Sequence, residues 1–161
     1  PDLAADPELY GECLGGALYI EDFRRMLRDL GCLDYRTVTS RRIAIDNEDL
    51  QVRVGNIQFY SMTIRAFKLP DSVEDICEDY GQVAYYKGTI PEAPHSFVLD
   101  DHHVFETGRP MLVCGNTAAM VSETRYGTHF CVVGDRSMHY GAFDCAPAAE
   151  TTENTTLGGC C

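Results

Sequence analysis

A chemical reading of this sequence starts from Cys13. It lies in Tyr10-Gly11-Glu12-Cys13-Leu14-Gly15-Gly16-Ala17-Leu18-Tyr19, beside a Gly-Gly pair and just ahead of an amphipathic stretch. Glycines let backbone pass close to a neighbour and take positive φ without steric cost. A cysteine held there would stand near a helix N-terminus, where free N–H groups and the dipole favour the thiolate. A thiolate is a soft donor, suited to soft metals and metalloids. The structural alternative is a small buried residue at a tight strand-to-helix turn.

The other thiols are Cys32, Cys77, Cys114, Cys131, Cys145, Cys160 and Cys161. None forms a C-x-x-C pair, so neither a zinc ribbon nor a thioredoxin-type redox site is signalled. With no secretory signal pattern, free thiols in a cytoplasmic protein are expected rather than disulfides. Cys77 falls in an acidic loop, where a ligand and an ordinary loop thiol are both open readings. Cys160 and Cys161 are vicinal thiols after Gly158-Gly159, able to capture a soft ion from a tail, or simply to oxidise there. Cys32 reads as packing; Cys114, Cys131 and Cys145 follow apolar or β-rich runs and read as core or edge. Asp100-Asp101-His102-His103 offers zinc-type donors, yet neighbours on a strand point to opposite faces, so it reads as a surface turn. No Ser-His-Asp or paired-carboxylate pattern stands out, and no catalytic or cofactor-binding residue is assigned.

The elements that must position these groups follow from periodicity. Phe23, Met26, Leu27 and Leu30 form one apolar stripe, predicting a helix over Glu21 to Leu30 with Gly31 behind it. Strands are expected at Tyr35 to Thr39, Arg42 to Ile45, Ile57 to Lys68, Gly81 to Lys87, Ser96 to Leu99, Val104 to Glu106 and Pro110 to Val113. Asp46 to Gly55 alternates like a strand but carries a cap and a glycine stop, and it is assigned to helix. Asn116 is expected to cap a helix through Ser122, and His129 to Val133 to form a closing hairpin with His139 to Phe143.

Several of these stretches together resemble arsenite S-adenosylmethionine methyltransferases: GECLGGALY with EDFRRMLRDLGC, FYSMTIRAFKL from Phe59 to Leu69, CEDYGQVAYYKGTI from Cys77 to Ile90, and the terminal GGCC. The resemblance implies an α+β fold. A remnant of the class I methyltransferase sheet, its last helix and strands, would be followed by a mostly antiparallel β domain with short helices. Residues 1–46 would be linker and the end of the methyltransferase-like fold, 47–145 the arsenic-binding β-rich domain, and 146–161 a disordered tail. It implies the arsenic-binding and positioning part of an arsenite methyltransferase; the alternative is a non-catalytic thiol module for arsenite or soft metals. Cys13 stands at a family arsenic position. The second family cysteine falls at Met62, a neutral thioether, so Cys77 is the substitute ligand, with Cys160 and Cys161 for capture. S-adenosylmethionine would be bound by a domain absent from these residues, since no G-x-G-x-x-G loop occurs here, and glutathione or thioredoxin would be the reductant. The chain alone is expected to bind trivalent arsenic without turnover.

Composition is consistent with that. A net charge of −12 argues against nucleic-acid or anionic-membrane partners, which need a basic face. No apolar run approaches the ~20 residues of a membrane span.

Overall fold

The computed structural model describes residues 3–145. Asp6 opens α1 (Pro7–Gly11): its carboxylate accepts the N–H groups of Glu8 at 3.0 Å and Leu9 at 3.2 Å. The predicted amphipathic helix forms as α2 (Ile20–Asp29), with Glu21 and Asp22 in its first turn and Gly31 at φ 85° after it. Its apolar stripe is only partly covered: Phe23 and Leu27 are half-buried, with Phe23 edge-on to Tyr35. No α2 residue is buried, and Met26 and Leu30 are 52% and 63% exposed.

The two strands expected at Tyr35 to Thr39 and Arg42 to Ile45 are one, β1 (Tyr35–Arg42). Asn47, rather than Asp46, then caps α3 (Glu48–Val54), accepting from Asp49 and Leu50, and Gly55 at φ 62° ends it. β2 (Tyr60–Ala66) pairs antiparallel with β1 along the whole ribbon, from Tyr35 opposite Ala66 to Arg42 opposite Tyr60. That ladder, interrupted by one register shift between Thr37 and Thr39, is why β1 runs through Ser40, where the sequence suggested a break. Ile43 and Ile45 then leave the ribbon to pack against Leu9, Leu14, Leu50, Val54 and Phe59 in a small core of their own.

The larger core belongs to the rest of the chain: β3 (Glu78–Asp79), β4 (Gln82–Tyr86), β5 (Ser96–Val98), β6 (Val104–Glu106), β7 (Pro110–Val113), α4 (Gly115–Ser122), β8 (Phe130–Val133) and β9 (Gly141–Ala142). β4 lies between β7 and β8, β5 pairs with β6, and each of these ladders is antiparallel. The expected closing hairpin does not form. β8 takes the free edge of β4, and β9 crosses instead to pair with β3. α4 packs on this sheet and is buried from Gly115 to Val121; its residues are mostly small and apolar, and the two polar ones in that span, Asn116 and Thr117, are hydrogen-bonded inside.

Candidate functional site

Three cysteines far apart in sequence meet at one place. The Sγ atoms of Cys77, Cys114 and Cys145 all lie within 4.8 Å of one another. Cys114 is the N-cap of α4, the place expected for Asn116. Cys77 immediately precedes β3, and Cys145 follows β9, so the β3–β9 pairing of Glu78 with Ala142 draws the two together. The N–H of Phe143 donates to the Cys77 carbonyl at 2.9 Å and extends that ladder. Asn116 fixes the Cys77 loop to the start of α4. Its side-chain oxygen accepts from the Glu74 N–H at 2.8 Å, and its amide nitrogen donates to the Glu74 carbonyl at 2.8 Å and to Asp34 Oδ2 at 3.1 Å.

Position decides which sulfur carries charge. Cys114 is fully buried, and its Sγ accepts the Thr117 N–H at 3.4 Å and lies 3.3 Å from the Thr117 hydroxyl. Hydrogen bonds from Cys145 and Cys77 hold its thiol well below the ordinary value against the penalty of burial, and Thr117 adds to them. The other two shift the opposite way. Donating to Cys114 is the main cause that pushes Cys77 up to about 12, with burial adding, and it likewise raises Cys145. Of the three sulfurs, Cys114 is thus the one that most favours the charged form.

A buried ionic network stands behind Cys114. Arg36 on β1 has a side chain only 2% exposed; it pairs with Asp34 Oδ2 at 2.9 Å and reaches Asp100 Oδ2 at 3.7 Å. It also donates to Thr117 Oγ1 at 3.1 Å and Met120 Sδ at 3.3 Å. Burial works against its charge, but Asp34, Cys114 and Asp100 hold the guanidinium protonated. Burial lifts Asp34 to about 6 even with Arg36 beside it. Asp100 is held below the usual carboxylate range: burial opposes ionisation, and His103, the His102 N–H and Arg36 outweigh it.

Cys13 lies elsewhere, and its surroundings differ from those the sequence suggested. It follows the C-terminal end of α1 rather than preceding the N-terminus of α2. The Leu14 N–H donates to the Leu9 carbonyl at 2.9 Å and the Cys13 N–H to the Tyr10 carbonyl at 3.0 Å, the paired bonds of a Schellman turn. Cys13 occupies the left-handed position of that turn at φ 63°, a place usually given to glycine. The glycines serve closeness instead: a Cβ on Gly15 would stand 2.6 Å from the Leu3 carbonyl oxygen. The Cys13 side chain is exposed, and the three-thiol group does not include it.

The remaining candidates are dispersed. Met62 is half-buried on β2 opposite Ser40. Cys131 is exposed on β8 opposite Tyr85, and Cys32 is half-buried. Cys160 and Cys161 lie outside the described residues. Asp101 and His102 are exposed as a surface turn requires, but Asp100 and His103 are buried and bonded to each other at 2.8 Å. Asp100 Oδ1 also accepts the N–H groups of His102 and His103, so it fastens the turn to the core. Sequence reasoning missed Cys114 and Cys145 as site residues. Cys114 carried a signal, a cap-competent side chain just ahead of a run of small residues; Cys145 carried none.

Comparison with known proteins gives these positions a context. Residues 73–159, which include all three clustered cysteines, match the family described as a domain of unknown function (DUF8838). An arsenite methyltransferase of Aquipseudomonas alcaligenes is 50% identical over 143 residues, 89% of this chain and 41% of that protein. The arsenite methyltransferase of Mus musculus is 32% identical over 130 residues, 80% of this chain and 33% of that one. The fold superposes with a TM-score of 0.83 on the crystal structure of an arsenic(III) S-adenosylmethionine methyltransferase from Chlamydomonas reinhardtii. That match is 52% identical and covers 88% of this chain and 47% of the other. The chain thus spans less than half the length of each relative, and the resemblance in its sequence to arsenite methyltransferases is borne out.

Proposed function

The chain belongs to the family described as a domain of unknown function (DUF8838), and we propose that it serves an arsenite methyltransferase as the part that binds and positions trivalent arsenic. The observation that carries this is Cys13. A non-glycine residue at a left-handed turn costs of order 1–2 kcal/mol, and such strain persists where the side chain is needed. Here it holds an exposed thiol on a rigid turn, in a chain akin to proteins named for arsenite methylation.

S-adenosylmethionine would supply an electrophilic methyl group from residues outside this chain. The part of Cys13 is to exchange a hydroxide of arsenite for a sulfur ligand and hold the arsenic with its lone pair free. Holding the nucleophile in line with the methyl group supplies the entropic share of the rate enhancement. The exposed part of the α2 stripe, Met26 and Leu30, offers a face against which a methyltransferase domain would pack. A thiol reductant such as glutathione or thioredoxin would complete the cycle.

Methylation of arsenite by this chain supplemented with an S-adenosylmethionine-binding methyltransferase domain tests the reading. Activity that Cys13→Ser abolishes, with S-adenosylmethionine binding unchanged, is expected. Arsenite binding without any methylation under those conditions would favour a thiol-buffering module instead.

A further inference from the structure

We propose that Cys77, Cys114 and Cys145 form a second arsenic site, separate from Cys13, that takes inorganic trivalent arsenic in preference to its methylated forms. The ligand's identity rests on the arsenic reading above; the convergence of the three sulfurs does not. Three donors about 2.3 Å from a common centre stand roughly 3.5–4 Å apart, so sulfurs already within 4.8 Å close on one by shifts of about 1 Å. Trivalent arsenic uses three soft donors in a pyramid and needs no fourth. Zinc wants four, and among the described residues no His, Asp or Glu joins the group.

Charge points the same way. Arg36 is already shared among Asp34, Asp100 and Cys114, so a further negative charge at this place would go unpaired. An arsenic tri-thiolate is neutral and adds none. A divalent ion with three thiolates leaves a net negative charge in a half-buried place, where it is costly.

The binding step balances without an oxidant or reductant. Each of the three sulfurs replaces one hydroxyl of arsenite. Three As–S bonds form and three As–O bonds break. The three thiol protons leave with the oxygens as three waters, and arsenic stays trivalent throughout. Methylarsonous acid has two exchangeable hydroxyls and dimethylarsinous acid one, so each methyl group removes one anchoring sulfur. The site therefore discriminates by methylation state.

The test is titration of the full chain, in a Cys160→Ser and Cys161→Ser background, with sodium arsenite and the two methylated acids. Ultraviolet arsenic–sulfur absorption gives affinity, and X-ray absorption gives the sulfur count. The Cys13→Ser variant should keep the three-sulfur signal. Cys145→Ser and Cys77→Ser, both at half-buried positions, should fold as judged by circular dichroism. Each should lose about tenfold or more in arsenite affinity, consistent with loss of one anchor from a multidentate site, and fall to two sulfurs. Affinity should decline from arsenite to the mono- and dimethylated acids. Arsenite binding lost only in Cys13→Ser would overturn this site and leave the arsenic reading standing. Equimolar zinc displacing arsenite from the three sulfurs would overturn it too, and no arsenite binding at all would remove both readings.

Discussion

Arg36 and Cys114 are 78 residues apart in the chain, yet the guanidinium Nη2 of one lies 3.9 Å from the Sγ of the other. The same nitrogen reaches Asp34 at 2.9 Å and Thr117 at 3.1 Å. One buried cation therefore joins the β1–β2 ribbon to the start of α4, beside the sulfur that carries negative charge. Its geometry depends on the planar fork of arginine, which lysine does not reproduce.

Replacing Arg36 by methionine should cost about 3–5 kcal/mol, because Asp34 and the Cys114 thiolate are left buried without their cation. Urea midpoints measure this. Arg36→Lys should recover only part of the loss. Ultraviolet thiolate absorbance at neutral pH should fall in the methionine variant, since the Cys114 thiolate loses a supporting charge.

Asp34 makes stability depend on pH with an unusual sign. Its folded value of about 6 stands above the unfolded value near 4, so between these limits the native state holds a proton that the unfolded state has released. Stability from this group is complete below about pH 4 and is lost as pH rises through 6. About two units correspond to ~3 kcal/mol. Asp34→Asn should therefore gain on the parent chain by about that amount between pH 4 and 7. A constant difference in urea midpoints across that range would contradict the assignment. Asp100, shifted downward, acts in the opposite sense, and its contribution is lost as pH falls below about 4.

The thiols set a second window. The Cys114 value is depressed, so its stabilising contribution grows as pH rises toward the unfolded value near 8.5 and is fully present above it. Cys77 and Cys145 are raised, so the protons they retain become a cost to folding above that same point. Stability should peak at about pH 8–9 and fall on the alkaline side. Cys114→Ser should abolish thiolate absorbance at neutral pH, while Cys145→Ser should leave it in place.

What was legible in the sequence was local. The stripe of Phe23, Met26, Leu27 and Leu30, the alternation along β2 and the glycine stops at Gly31 and Gly55 each express a rule confined to a few residues, and each held to within a few positions. Pairing across the chain was not legible. Nothing near His139 to Phe143 says that its partner is Glu78–Asp79 rather than the nearer β8, because strand edges are chosen by which neighbour lies open after packing. That choice is what carries Cys145 to Cys77, so the three-thiol group was hidden with it. A cysteine does stand at a helix N-terminus, but not the one that the Gly-Gly pair suggests. Cys114 caps α4, while Cys13 closes α1.

Asn116 should separate placement of the thiols from the thiols themselves. It is buried, with both ends of its amide engaged by Glu74 and Asp34. Asn116→Ala should cost about 1–3 kcal/mol by leaving the Glu74 N–H and carbonyl without partners. It should also loosen the loop carrying Cys77, so arsenite bound through Cys77, Cys114 and Cys145 should weaken although every sulfur remains. Hydrogen exchange at Glu74 should quicken in parallel. Weakened binding with unchanged exchange there would mean the amide acts in some other way.

Cys13 gives the sharpest separation of stability from activity. It takes a left-handed turn position at φ 63°, which costs a β-carbon-bearing residue of order 1–2 kcal/mol and glycine little. Glycine pays back part of that through the greater freedom of its unfolded chain, so Cys13→Gly should stabilise the chain by about 1 kcal/mol. Cys13→Ser keeps a β-carbon, so it should leave stability nearly unchanged. If the cysteine is held at that turn for its sulfur, both variants should lose arsenite methylation to the same degree when a methyltransferase domain is supplied. A glycine variant that is more stable and fully active would mean that Cys13 is merely an imperfect helix stop. A glycine variant that is less stable would mean that its thiol makes a packing contribution its exposure does not suggest.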